Sequence, residues 1–221
     1  MEKIMNCDLD EYVEINQVKL YARNDMVVNS SVDGEFEPET FDYWIKNTKT
    51  GTSIDIGAYT GVYCISASKN GSNSIAIEPN PKVHSRLISN IKENDADVTV
   101  HNIGLSNMAG RQPFFMKDIP LTSGGSIGKT GNCFINTYIG DLYLNVSNVT
   151  AIKIDVEGHE CEVITGLSEM IAVDEPMMIV ECNNTRNFID VSRLMKTYGY
   201  ELCDMCDGRN AIYKKRQLLM G

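Results

Sequence analysis

No apolar run in this 221-residue sequence approaches the roughly 20 residues needed to cross a bilayer. The first ten residues carry Asn6, Asp8 and Asp10 where a secretory leader would need an apolar core. A cytoplasmic protein with no membrane partner is the resulting expectation. Basic side chains are also scarce, with 20 Lys and Arg against 30 Asp and Glu for a net charge of -10. Neutralising a phosphate backbone is therefore not a global property of the chain, and nucleic acid is a disfavoured partner. Repeats and low-complexity tracts are absent, which removes solenoid and collagen-like architectures.

Cysteine forms an odd, scattered set of seven (Cys7, Cys64, Cys133, Cys161, Cys182, Cys203 and Cys206), mostly inside apolar stretches. Reduced thiols packed as small hydrophobes are expected there. Cys203 and Cys206 have redox-motif spacing, but no second pair completes a zinc site, so chance spacing in a strand or hairpin is the better account. Without an export signal, the sequon matches at Asn29, Asn145, Asn148 and Asn183 are read as carrying no glycan.

What is present is the composition of a globule, 43% hydrophobic and 23% charged, at a length that suits one α/β domain. Residues 1–50 read as N-terminal strands and a helix, and residues 51–215 as the catalytic core. The stretch from Tyr12 to Val28 alternates and is broken at Asn16-Gln17 and Asn24-Asp25, which predicts short antiparallel strands forming a lid. A helix opens at Glu37-Pro38 and carries Phe41, Trp44 and Ile45, expected to pack on the sheet.

From Thr52 onward, buried strands alternate with helical segments. Ser53–Gly57 and Ser74–Glu78 are apolar runs separated by one helix length. A helix follows Pro81 with Val83, Leu87, Ile88 and Ile91 as its apolar stripe, and Asp97–His101 makes a third strand. Arg111 to Gly131 shows no readable pattern. Strands are expected at Val149–Asp155, Met177–Cys182 and Ala211–Lys214, and helices after Gly158 and across Thr185–Tyr198. The pattern predicts a doubly wound, mostly parallel sheet with helices on both faces and its ligand at the carboxyl ends of the first strands.

The first strand-to-helix turn reads Asp55-Ile56-Gly57-Ala58-Tyr59-Thr60-Gly61. A dinucleotide fingerprint needs a middle glycine that is missing here, which argues against a nicotinamide-dependent oxidoreductase. Gly57 suits a tight turn, Gly61 suits close helix approach, and Asp55 can hold a cationic group in place of a phosphate. An ordinary turn with a capping Asp is the competing reading. Glu78 ends the second strand about 20 residues after the turn, the place from which a carboxylate reaches both hydroxyls of a ribose. Asn80 is a candidate for the adenosine pocket, and Asn102 or the Ile103 backbone for an adenine edge. Turn formation by Asn102 and Asn107 is an equal alternative.

The densest polar segment is Ile152-Lys153-Ile154-Asp155-Val156-Glu157-Gly158-His159-Glu160. Asp155 ends a buried strand, and Glu157 and His159 follow as candidates to face an acceptor. His159 is the first candidate base, because an ordinary imidazole near pKa 6.5 can take a hydroxyl proton at neutral pH. Asp155 or Glu157 are the alternatives, either as base or together holding a divalent cation, the less favoured arrangement. Helix capping by Glu157 and His159 is the structural alternative. Glu181 ends a later strand, where facing the acceptor and capping a loop are equally open. Ser123–Ser126 and Gly128 form a candidate flexible loop over the acceptor, with an idle surface loop as an equal alternative.

Taken together, Asp55–Gly61, Ile77–Pro81, Asn102–Ser106, Ile152–Glu160 and Ile179–Glu181 resemble, in order, the successive motifs of the FkbM-type methyltransferases. The resemblance covers about residues 18 to 205. It implies a class I methyltransferase (Rossmann-like) fold, a seven-stranded sheet with one antiparallel strand, and S-adenosylmethionine as cofactor. It also implies methyl transfer to a hydroxyl oxygen of a sugar, glycan or secondary metabolite. One departure is visible: the family often has Asn after Gly-Ala in the glycine turn, and this chain has Tyr59. A non-catalytic adenosyl-nucleoside-binding module is the rival of a different class.

Overall fold

A computed structural model describes residues 11–116, 125–128 and 130–216. Tyr12–Ile15 (β1) and Val18–Tyr21 (β2) pair antiparallel across Asn16 and Gln17, both at positive φ as a tight hairpin turn requires. The strand expected to run on to Val28 is instead a short helix, Met26–Ser30 (α1). Asp25 caps it by accepting from the N–H groups of Val27 and Val28, so the backbone has a local alternative to a ladder. Pro38–Asn47 (α2) begins on its proline, and Trp44 is fully buried with its indole N–H donating to Tyr63 O at 2.9 Å.

Thr52–Ile56 (β3), Val62–Lys69 (α3), Asn73–Ile77 (β4), Pro81–Glu93 (α4) and Val98–His101 (β5) follow as predicted. On α4, Val83, Leu87 and Ile91 are buried at four-residue spacing, whereas Ile88 is exposed, one position off the stripe. The inward position goes to Asn90, which donates to Thr60 O (2.8 Å) and accepts from Tyr21 N–H (3.1 Å). This buried amide ties the glycine turn to the N-terminal hairpin.

Gly104–Ser106 (β6), Gly110–Met116 (β7), Gly125–Ile127 (β8) and Cys133–Ile139 (β9) make a second, four-stranded sheet in the order β6-β9-β7-β8. Within the region without readable pattern, residues 111–116 and 125–127 are therefore strand. Pro113 inside β7 and the shortness of β8 hide the alternation that would have announced it. Ser123 and Gly124 of the candidate acceptor loop lie outside the described residues, as does Cys7, while Gly125 and Ser126 belong to β8.

Gly140–Tyr143 (α5), Val149–Ile154 (β10), Glu160–Gly166 (α6), Ser168–Asp174 (α7), Met177–Glu181 (β11), Thr185–Thr197 (α8), Tyr200–Cys206 (β12) and Asn210–Lys215 (β13) complete the chain. The main sheet has seven strands in the order β12-β13-β11-β10-β3-β4-β5. Only β13 runs antiparallel, and it is inserted between β11 and β12. Alternation along each strand sends Ile54, Ile56, Ile152 and Ile154 to one core and Ala151 and Ile179 to the other, so both faces are covered. Because Asp55 and Lys153 are register partners on adjacent parallel strands, a charged pair sits on one face of the sheet centre. The six cysteines among the described residues are free, Cys203 and Cys206 included.

Candidate active site

Two places in the turn after β3 admit only glycine. At Gly57 (φ 87°) the amide donates to Ile77 O, and a Cβ would stand 1.8 Å from the carbonyl oxygen of Asp155. At Gly61 (φ 104°) a Cβ would meet Leu87 Cδ1 at 2.7 Å, so the residue that opens α3 approaches Leu87 of α4 with a bare backbone. Tyr59 between them takes φ 48°, a left-handed conformation that Asn tolerates better than an aromatic residue. Its hydroxyl accepts from Met26 N–H at 3.1 Å, and its N–H donates to Glu78 Oε2 at 2.9 Å.

Glu78 receives a second backbone hydrogen bond at Oε1, from Asn80 N–H at 2.7 Å. Each oxygen thus holds one amide and keeps acceptor capacity for another donor. Burial pushes this carboxyl up to about 7, against the pull of the two amides. Asn80 turns its own side chain to Lys82 N–H and caps α4. Glu78, Asn80, Gly57, Tyr59 and His159 line one cleft, roofed by Phe114, Gly125 and Ile127 of the second sheet. Asn102 is not among the lining residues; its Nδ2 donates to Glu78 O at 2.7 Å and braces the strand end. Ile103 packs on the core instead, and Gly104 and Leu105 take the lining positions expected of Asn102 and Ile103.

A second cavity opens on the other side of the Gly57–Asp155 contact, and Gly57, Tyr59 and Asp155 border both. It is lined by Asp55, Lys153, Asp155, Glu157, Glu181 and Arg209. Lys153, 3% exposed, places Nζ 3.1 Å from Asp155 Oδ2 and 4.6 Å above the Tyr63 ring. Arg209 pairs with Glu181 (3.0 Å) and with Glu37 (3.3 Å), and Glu37 accepts from the Tyr63 hydroxyl at 2.7 Å. Burial raises the Asp55 carboxyl to about 6, with Lys153 and the Cys64 N–H pulling it down. Burial alone would lower Lys153, yet Asp155, Glu37, Asp55 and Glu181 around it hold its ammonium above its ordinary range.

Of the three acceptor-facing candidates, Asp155 borders both cavities, Glu157 the second and His159 only the first. His159 Nε2 is 2.9 Å from Ser106 Oγ, and burial holds its imidazole below its ordinary value despite Glu162 and Glu160. It makes no side-chain cap to α6; Glu160 links that end instead, accepting from Gly158 N–H (2.8 Å) and Asn187 Nδ2 (2.7 Å). Among the described residues, no group of three His, Cys, Asp or Glu side chains is placed to hold a metal ion. The sequence reading did not reach Arg209, Glu37 or Tyr63. No local motif marks them, since Tyr63 and Arg209 enter the cavity from distant parts of the chain and Glu37 reaches it only through those two.

This fold is that of the class I methyltransferases. The chain is similar to the methyltransferase FkbM of Methylobacillus flagellatus KT, with TM-score 0.56 and 17% identity over 75% of this chain and 44% of that one. It is also similar to magnesium protoporphyrin IX methyltransferase from Synechocystis PCC 6803, solved with bound SAM, with TM-score 0.54 and 10% identity over 81% and 78% of the two chains.

The methyltransferase FkbM domain matches residues 55–202, and the chain belongs to that family. Hexuronic acid methyltransferase AglP of Haloferax volcanii is 30% identical over 145 residues, which are 64% of this chain and 59% of that protein. The chain thus spans under two thirds of the length of this relative. No helix among the described residues is long and apolar enough to cross a membrane.

Proposed function

We propose that this protein is an S-adenosylmethionine-dependent methyltransferase that methylates an oxygen of a sugar, glycan or secondary metabolite in the cytoplasm. The observation that carries this reading is the placement of Glu78, fixed by two backbone amides in one cleft, beside a second cavity lined by acids. The donor set suits a nucleoside whose sugar offers two adjacent hydroxyls and whose tail is cationic. The glycine turn Gly57, Ala58, Tyr59 and Gly61 would hold the tail, Glu78 the ribose, and Asp155 the junction between them. Asn80, Asn102 and Ile103 support the adenosine end, the last two from behind the lining.

The bound cofactor supplies a methyl group activated on a positively charged sulfur. The residues of this chain then have three tasks. Gly57 and Asp155, in contact between the two cavities, would align donor and acceptor, since proximity accounts for much of such a displacement. The carboxyls of the second cavity stabilise positive charge in a site removed from water. One group must also accept the hydroxyl proton. The relationship to a hexuronic acid methyltransferase makes uronic-acid sugars the first acceptors to try.

The test is direct. S-adenosylhomocysteine should raise the melting temperature where NADH does not, and incubation with S-adenosylmethionine and a panel of uronic acids and glycans should give a product 14 mass units heavier, about one CH2. Stabilisation by NADH alone would overturn the reading. Cofactor binding with no transfer to any acceptor would favour a binding module.

A further inference from the structure

Two carboxyls meet at the ends of neighbouring strands in the second cavity. Asp155 follows β10 and Glu181 ends β11; because Ile154 and Val180 are register partners, the two carboxyls emerge side by side and line the same cavity. Two neighbouring carboxyls oppose each other's ionisation, and burial adds to that, which favours a proton shared between them. Each carboxyl has one cation against it: Lys153 at 3.1 Å from Asp155 and Arg209 at 3.0 Å from Glu181. Arg209 is divided further with Glu37. From the surrounding elements, Asp55 on β3, Tyr63 on α3, Glu37 before α2 and Glu157 after β10 also face this cavity or its cations. Five carboxyls (Glu37, Asp55, Asp155, Glu157 and Glu181) thus stand around this cavity or its two cations, an arrangement short of positive charge.

We propose that Asp155 and Glu181 are a proton-sharing carboxyl pair facing the methyl group in transfer, which releases its proton when the sulfonium binds and takes up the acceptor's hydroxyl proton as the methyl group leaves. The inference rests on the cofactor reading above. The step balances. The methyl carbon bonds to the acceptor oxygen, its bond to sulfur breaks with the electron pair staying on sulfur, and the hydroxyl proton ends on the pair. Positive charge in the cavity is the same before and after, because the sulfonium is discharged as the proton arrives. In a buried site this avoids a change of net charge at the moment of reaction. His159 lines only the cleft on the Glu78 side, where it is bonded to Ser106, and so stands apart from the cavity that holds Glu181.

Burial and the neighbouring Asp155 push Glu181 up to about 9, while Lys153 and its hydrogen bonds keep Asp155 low despite burial. The shared proton is therefore present at neutral pH, and a cation placed against the pair displaces it.

The experiment compares two nucleosides by titration calorimetry. Sinefungin carries an ammonium where the sulfonium methyl lies, and S-adenosylhomocysteine carries no charge there. Both share the adenosine and amino-acid ends, so titration of Glu78 and Asp55 affects them alike. The preference for sinefungin should rise with pH between 6.5 and 8, approaching about tenfold per unit, with close to one extra proton released as judged in buffers of different ionisation heat. In Glu181→Gln both the slope and the extra proton should vanish.

A preference flat with pH in the wild-type protein overturns the proposal, and that measurement does not depend on the variant folding. A slope that persists in Glu181→Gln overturns it as well. Failure of both ligands to bind would bring down the cofactor reading itself.

Discussion

Gly57 and Asp155 touch through their backbones: the missing side chain of the first leaves room for the carbonyl oxygen of the second, 1.8 Å from where a Cβ would be. This contact brings the turn after β3 against the end of β10 and divides the space above the sheet in two. Glu78 lines the cleft on one side and Glu181 the cavity on the other, while Asp155 borders both.

Gly57→Ala should accordingly cost stability and ligand binding together. A left-handed φ costs an ordinary residue about 1–2 kcal/mol, and overpacking against backbone adds about 1–3 kcal/mol. Urea unfolding should show a loss within the sum of those ranges, and S-adenosylhomocysteine should no longer raise the melting temperature. A variant as stable as the wild type would contradict the contact.

Glu78→Ala removes the acceptor of two backbone amides and, on the proposed function, of both ribose hydroxyls. Affinity for S-adenosylhomocysteine should fall by at least tenfold, about 1.4 kcal/mol, measured calorimetrically on protein shown to be folded by circular dichroism. Unchanged affinity would place the ribose elsewhere.

Lys153→Met should be more damaging than its single ion pair suggests. The ammonium is buried at the sheet centre among Asp55, Asp155, Glu37 and Glu181, and removing one partner of a buried charge set typically costs about 3–5 kcal/mol. The denaturant midpoint should drop strongly at pH 8 and less at pH 5.5, where more of the carboxyls carry protons. Equal loss at both values would mean that lost packing, rather than charge, is responsible.

Stability of the ligand-free protein should decline as pH rises. Burial raises Asp55 from 3.8 to about 6, Glu78 from 4.5 to about 7 and Glu181 from 4.5 to about 9, so the folded state binds more protons than the unfolded chain between those limits. Each such contribution is complete below the unfolded value and is lost as pH passes through the folded one. Asp155, held low, acts oppositely, and only in acid below about 4. Urea midpoints at pH 5.5 and 8.5 check the sign, and a higher midpoint at 8.5 would refute it.

Much of this architecture was legible because it is local. Alternation at Ser53–Ile56 and Ser74–Ile77, proline at the start of α2 and α4, and the four-residue stripe on α4 are properties of short windows, and they recovered the parallel core. The failures were local conflicts. Asp25 capped a helix where alternation suggested a strand, Ile88 fell one position off its stripe, and Pro113 concealed β7. Tyr59, the departure from the family pattern, accepts the strained φ that the turn demands and spends its hydroxyl on Met26 N–H.

The sequence by itself determined that Asp55, Glu78, Asp155 and Glu181 fall at or beside the carboxyl ends of buried strands, because a buried run with an acid at its close is written in consecutive residues. Which of those acids share a cavity was decided only by tertiary structure. Insertion of β13 beside β11 brings Arg209 to Glu181, and α2 brings Glu37 to Arg209 and Tyr63. The bend after β10 carries His159 to Ser106 on the other side. Charge interactions act through space over a few ångströms and take no account of separation along the chain, so no window of sequence contains them.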